Sequence, residues 1–328
     1  MGKKIKLILE IPGKDVKILG LPDYKCGLQF MKLVEEICSN EKIMVLYSKL
    51  EFVCIDFDED VRNKHPMAWV ILDRKRLQVF VNWYLIKVNL ETSHGRRDIS
   101  GTIIHEITHV FQFENIPQAQ QSLNQEHRLR DKLKLKKLKD YSLKRTGMEV
   151  TKALRIQLKL FQERLWWEGC AKFNEIYLNP KTEVLSSFLG NLEGVVQSKM
   201  DDFLESWRVF KSNSHDLEFL RGAHKLLSGI SEGIKDKEDT LRFLRFLTIV
   251  DYDFGLYMVS FILRYDKSTS LTDIYHMGSH RFIKHYEVIS MSTGGKMPLI
   301  SLTSGAGRWD IKKFNRELLE MYKEYKRM

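Results

Sequence analysis

Between Ile104 and His109 the chain reads Ile-His-Glu-Ile-Thr-His, two histidines four residues apart with a glutamate directly after the first. On a helix, positions i and i+4 lie one above the other on the same face, so His105 and His109 can both reach a single Zn²⁺. Glu106 projects beside that metal, where it can take a proton from a metal-activated water. Few patterns restrict a fold as much. The segment has to be helical, its helix has to meet whatever supplies a third ligand, and burying two imidazoles and a carboxylate without a metal or partners is costly. The flanking residues agree with burial: Ile99, Ile103, Ile104, Ile107, Val110 and Phe111 cover one side of the predicted helix and spread onto a second. Asp98 is its expected N-cap, and Pro117 ends it.

At 328 residues and 43% hydrophobic content, the chain is long enough for a well-buried core and two subdomains. No uncharged apolar run reaches the ~18 residues of a membrane span. The N-terminal Met1-Gly2-Lys3-Lys4-Ile5-Lys6 lacks the apolar core of a signal peptide. A cytoplasmic protein with no membrane partner is therefore expected. Cys26, Cys38, Cys54 and Cys170 form no CxxC pair, which suits a reducing compartment and cysteines packed as small hydrophobes. The net charge of +10 is uneven. Residues 127–144 (HRLRDKLKLKKLKDYSLK) and 323–327 hold dense runs of Lys and Arg. Such an excess suits nucleic acid, an anionic surface or acidic substrates; the plainer alternative is a set of solvated helix faces. No feature indicates an oligomeric state.

Taken in order, Lys4 to Ile11 alternates as a strand, and Pro12 to Asp15 form a turn. Leu28 to Cys38 has helical spacing, and Ile43 to Tyr47 and Glu51 to Phe57 are β-type runs. Asp56, Asp58, Glu59 and Asp60 make an acidic loop without the spacing or glycine of an EF-hand. Met67 to Leu72 and Leu77 to Val81, joined by residues 73–76, are predicted to form a hairpin. Residues 118–160 are charged and helix-favouring, expected as one or two partly exposed helices. Further helices are predicted at Val195 to Phe210, Leu217 to Leu227, Asp239 to Ile249 and Leu256 to Arg264. Ser290 to Gly307 is a Gly/Ser-rich loop without phosphate-loop spacing. The expected fold class is α+β: a β-rich N-terminal subdomain (1–116) ending in the motif helix, a charged helical insertion (117–160), and a mainly α-helical C-terminal subdomain (161–328).

A second motif offers a candidate third ligand. Trp166-Trp167-Glu168-Gly169-Cys170-Ala171 places a carboxylate before Gly-x-Ala in a helix-favouring segment. Gly169 and Ala171 leave room there for close packing, expected against the motif helix. Together the two motifs resemble the gluzincins, the zincin group in which the histidines of HExxH and a downstream glutamate bind zinc. Within that group they are similar to the E-G-x-A pattern of the minigluzincin or peptidase-MA-like proteins. The resemblance covers roughly residues 65 to 175 and implies a zincin-like fold and a zinc metallopeptidase. It also implies that His105, His109 and Glu168 are ligands and that Glu106 is the general base. In zinc peptidases a strand at the place of the hairpin often lays out an extended peptide by strand addition. The departure from the pattern is the spacer: 58 residues (110 to 167) lie between His109 and Glu168, and the charged insertion accounts for its length.

Metzincins are excluded, because Gln112 and Asn115 stand where HExxHxxGxxH needs its glycine and third histidine. His127, eighteen residues after His109, is the rival third ligand, as in SprT-type proteases that act near DNA, but no glycine follows it. For the oxyanion donor the peptidase-MA-like pattern of a tyrosine before a helix glycine implicates Tyr252, ahead of Gly255. Tyr275, His276 and His280, in an expected loop, are substitutes. The expected activity is peptide-bond hydrolysis on a peptide or protein substrate. The rival from another class is a non-enzymatic zincin-like protein that binds nucleic acid or a protein.

Overall fold

A computed structural model describes residues 5–10, 16–19, 24–40, 49–55, 66–73, 76–133, 142–179, 185–227, 242–244 and 252–293. The chain divides into two compact units. One holds Met1–Gln120 and Cys170–Ser187, the other Gln121–Gly169 and Phe188–Met328.

The first unit contains β1 (Ile5–Glu10), β2 (Val16–Leu19), α1 (Tyr24–Cys38), β3 (Lys49–Ile55), β4 (Ala68–Asp73), β5 (Arg76–Asn82), α2 (Trp83–Leu90) and α3 (Ser93–Asn115). The strands pair in the order β2-β1-β3-β5-β4, antiparallel except for β3 with β5. The β4–β5 hairpin is in register from Ala68 opposite Val81 to Asp73 opposite Arg76. The expected β-rich N-terminal subdomain does not form, and the fold is mainly α. Of the residues whose side chains are described, 86% are helical, and β4 and β5 supply the only strands in that set. The physical reason is length. The strands run four to seven residues, whereas α1 and α3 run 15 and 23. The chain also turns directly from β5 into α2, where the Asn82 side chain accepts the amide of Leu85 and caps the helix.

The motif helix begins earlier than its apolar pattern suggests. Thr92 is its N-cap, accepting the Gly95 amide at 2.9 Å, and Asp98 lies inside the helix. Pro117 follows one residue after the helix ends and opens α4 (Pro117–Leu133), where its missing amide costs nothing. Val79 and Val81 of β5 and Ala68 of β4 meet Ile99, Ile103, Ile104 and Ile107 of α3 in one core, with Phe30 set edge-to-face on Trp83 at 5.8 Å. Each of these side chains is at most 3% exposed. At ~1.5–3 kcal/mol per buried large aliphatic, this cluster is what holds α3 in place.

The second unit is built on α5 (Leu143–Tyr177), α6 (Leu185–Ser212), α7 (Leu217–Leu227), α8 (Tyr252–Tyr265) and α9 (Leu271–Ser292), though α5 and α6 each have residues in both units. Leu129 of α4 packs on Ile156 and Leu160 of α5, and Ser122 donates to Glu163 at 2.5 Å. The buried Glu126 carboxylate accepts from Arg130 and Arg164. These pairs set α4 antiparallel to α5. Trp207, Phe210, Phe219 and Phe243 form an aromatic cluster beside α6. The Tyr275–His280 stretch is helix, not loop: Ser270 caps α9 with a full capping box, and Gly278, at φ 70°, kinks it. The acidic residues 56–60 and residues 294–307 lie outside the described residues, as do all but 242–244 of the helix expected at 239–249. Cys38 and Cys170 are buried and Cys26 half-buried, all three as free thiols. Among the described residues, no helix is long and apolar enough to cross a membrane.

Candidate metal centre

His105 and His109 lie on the buried side of α3 at 7% and 5% exposure. Their rings meet edge to face with centroids 4.6 Å apart, and their Nε2 atoms are 3.0 Å apart. What each Nδ1 does decides the chemistry. His105 Nδ1 lies 3.1 Å from Glu175 Oε2, and an ionised carboxylate only accepts, so this nitrogen carries the proton. His109 Nδ1 donates likewise to Gln112 Oε1 at 2.9 Å. In the neutral rings both Nε2 atoms then hold lone pairs. Two lone pairs 3.0 Å apart repel unless a cation sits with them. A metal with bonds of about 2.0–2.1 Å places tetrahedral ligands about 3.3 Å apart, close to the observed separation.

Glu168 completes the group. It is buried at 7% exposure, and the ligand atoms of His105, His109 and Glu168 all lie within 4.8 Å of one another. This buried His-His-Glu set can hold a metal ion. His127, half-buried on α4, is not in it. Glu106 is not a member either; it is half-buried beside His105 and keeps access to solvent.

Sequence reasoning missed the groups that orient the histidines. Glu175 stands seven residues after Glu168, two turns on along α5 and so on nearly the same face. Burial alone would raise its carboxyl, but the His105 hydrogen bond and the Lys172 ammonium, 2.5 Å away, outweigh that and hold it below the ordinary value. Gly101, one turn before His105, makes the space. A side chain there would meet Glu175 Cγ at 3.1 Å. Two further bonds tie this end of α5 to α3: Asn174 donates to Thr108 Oγ1 and Asn179 to the Arg97 carbonyl, both at 3.1 Å. The seven-residue spacing from Glu168 was the available signal for Glu175. Gln112, three residues past His109, had a helical-face signal that its role in excluding metzincins obscured.

Gly169 does not face the motif helix as expected. A Cβ on it would lie 2.5 Å from the Gly255 carbonyl carbon, and one on Gly255 would lie 2.5 Å from the Leu165 carbonyl oxygen. The two backbones of α5 and α8 touch there, one residue from Glu168. Trp166, fully buried, adds a hydrogen bond to the Ile274 carbonyl at 2.8 Å. Tyr252 is the first residue of α8, one turn before Gly255, and is 41% exposed. Tyr275 is buried, while His276 and His280 are exposed on α9. Comparison with protein-family models, with curated proteins and with solved structures finds no match.

Proposed function

We propose that the protein is a zinc-dependent peptidase, with His105, His109 and Glu168 as ligands and Glu106 as general base. The observation that carries this is the pair of converging Nε2 lone pairs, 3.0 Å apart, with a buried carboxylate beside them. Two imidazoles and one carboxylate are a donor set that suits zinc and leaves a coordination position open. Bound there, zinc would supply a Lewis acid that acidifies water and polarises a carbonyl. Glu106 takes the proton from the attacking water and returns it to the leaving amine. Its half-exposed position fits a group that exchanges protons with substrate, whereas a purely structural site has no use for a base there. Glu175 and Gln112 keep both rings in the tautomer whose Nε2 is free to ligate. Tyr252, on a helix fixed against Gly169, is the proposed donor to the developing oxyanion. α3 packs against β4, the end strand of the sheet order, and an extended peptide can add along that edge.

The test is zinc content and peptide cleavage in three variants. Glu106→Gln should keep its zinc and lose about 10²–10⁴-fold in turnover. Glu168→Ala should lose most of its zinc, and full retention would overturn the ligand assignment. Tyr252→Phe should lower kcat about 10²-fold with little change in KM if it stabilises the transition state.

A further inference from the structure

α5 is 35 residues long, and most of its surface is covered. Before Tyr177, its exposed positions are Lys144, Arg145, Lys152 and Lys159, every one of them basic. Arg145, Lys152 and Lys159 are seven residues apart. On a helix that spacing gives an almost straight line, with about 10.5 Å between neighbours and about 21 Å end to end. Among the described residues, no acidic side chain lies within 4 Å of any of the four, although ion pairs form elsewhere on α4 and α5, at Glu126 with Arg130 and Arg164. A helix face that is merely solvated usually mixes both signs of charge. This one does not. α4, antiparallel to α5, adds exposed Arg128 and Lys132 one turn apart, with exposed Asp131 between them, at its C-terminal end, the end that runs beside the earlier turns of α5.

We infer that this basic line binds the phosphate backbone of a nucleic-acid duplex without reading its sequence. A duplex presents about one negative charge per 1.7 Å of axis, so a 21 Å line of cations faces a continuous row of partners. The residue types select among polyanions. A lipid surface is gripped by apolar side chains flanking the charges, and the exposed positions of the line carry none. Single strands are held by stacking on exposed aromatics, which the line also lacks. Lysines dominate, and they act as point charges on phosphate rather than as bidentate readers of base edges. The inference does not depend on the metal centre. A peptidase and a non-enzyme would both use such a surface to stay on nucleic acid.

The experiment is fluorescence polarisation of the full chain with a labelled random-sequence duplex of about 20 bp, as salt rises from about 50 to 200 mM. Arg145→Ala/Lys152→Ala/Lys159→Ala should lower the slope of log affinity against log salt by about 2.7, and weaken binding at least ten-fold near 100 mM salt. Its far-ultraviolet circular dichroism and metal content should match the parent. A charge-matched control, Lys225→Ala/Arg281→Ala/Lys284→Ala, removes three exposed cations from α7 and α9 and should lose less than about one unit of slope. The inference is overturned if the parent does not bind the duplex at about 50 mM salt, or if the control loses as much slope as the α5 variant. It is also overturned if anionic phosphatidylserine vesicles are bound and the duplex does not compete.

Discussion

The two ends of α5 obey the same helical geometry and use it for opposite purposes. From Leu143 to Phe161 the helix buries its apolar residues and shows solvent a narrow basic line. From Arg164 to Asn174 no position is exposed, and the polar groups Glu168 and Asn174 sit at 7% and 0% exposure. At the first end the charges are in water and nearly independent of one another. At the second they are desolvated and depend on specific partners, so each substitution carries the full cost of an orphaned group. For the fold, a charge on this helix is therefore dispensable or indispensable according to its neighbours, not its type.

Breaking the buried end should give the largest effects. Gly169→Val places a branched side chain against the Gly255 backbone, which cannot swing aside as a side chain would. Overpacking commonly costs about 1–3 kcal/mol. The absence of any yielding neighbour puts this variant at or above the top of that range, measured as the shift in urea midpoint at constant m-value. Next, Glu175→Gln keeps the shape but removes the charge that holds the His105 tautomer. Metal affinity should fall about 10–100-fold in a competition titration, with the fold retained.

Tyr286 of α9 separates burial from site chemistry. It is 2% exposed, and among the described residues its hydroxyl has no hydrogen-bond partner. Burial pushes its phenol well above the ordinary value, with Tyr257 and Glu193 adding to the shift. The unfolded phenol ionises near pH 10 while the folded one keeps its proton, so stability is intact below about pH 10 and falls as pH rises further. Tyr286→Phe should change neutral-pH stability by less than about 1 kcal/mol and flatten the alkaline decline in thermal melts. The smallest effect belongs to the exposed end of α5. Lys152→Ala should leave stability within about 0.5 kcal/mol and metal content unchanged. A loss comparable to that of Glu175→Gln would erase the contrast between the two ends.

Local patterns carried the site further than they carried the fold. His105 and His109 were legible because their spacing is a helical repeat. Glu168 was legible through its Gly-x-Ala neighbours despite the 58 residues between it and His109 (110 to 167). Glu175 was marked only by its seven-residue spacing from Glu168, and its role comes from a partner 70 residues away. Gly169 was recognised as a point of close approach, but a small residue says only that something comes near. That the neighbour is Gly255 and not the motif helix is a tertiary fact. The β-rich expectation failed because the helices around the short strands are much longer than the strands. The stretch from Tyr275 to His280, expected as loop, is helical because the capping box at Ser270 and Asp273 starts a helix that Gly278 kinks without ending it. The metal group rests on helices that sequence periodicity can find, and its supporting hydrogen bonds rest on contacts that it cannot.

The crossing of Gly169 and Gly255 also sets how finely Glu168 is positioned. Where side chains separate two helices, a change in one rotamer can absorb a fraction of an ångström, and the spacing drifts as the packing adjusts. Here the spacer is peptide backbone on both sides, whose bond lengths and planarity do not adjust. The carboxylate one residue away is thus held by a rigid gauge, its play limited to its own side-chain torsions. Neither glycine can change alone without resetting that gauge, which couples the two positions sterically even though 85 residues lie between them in sequence.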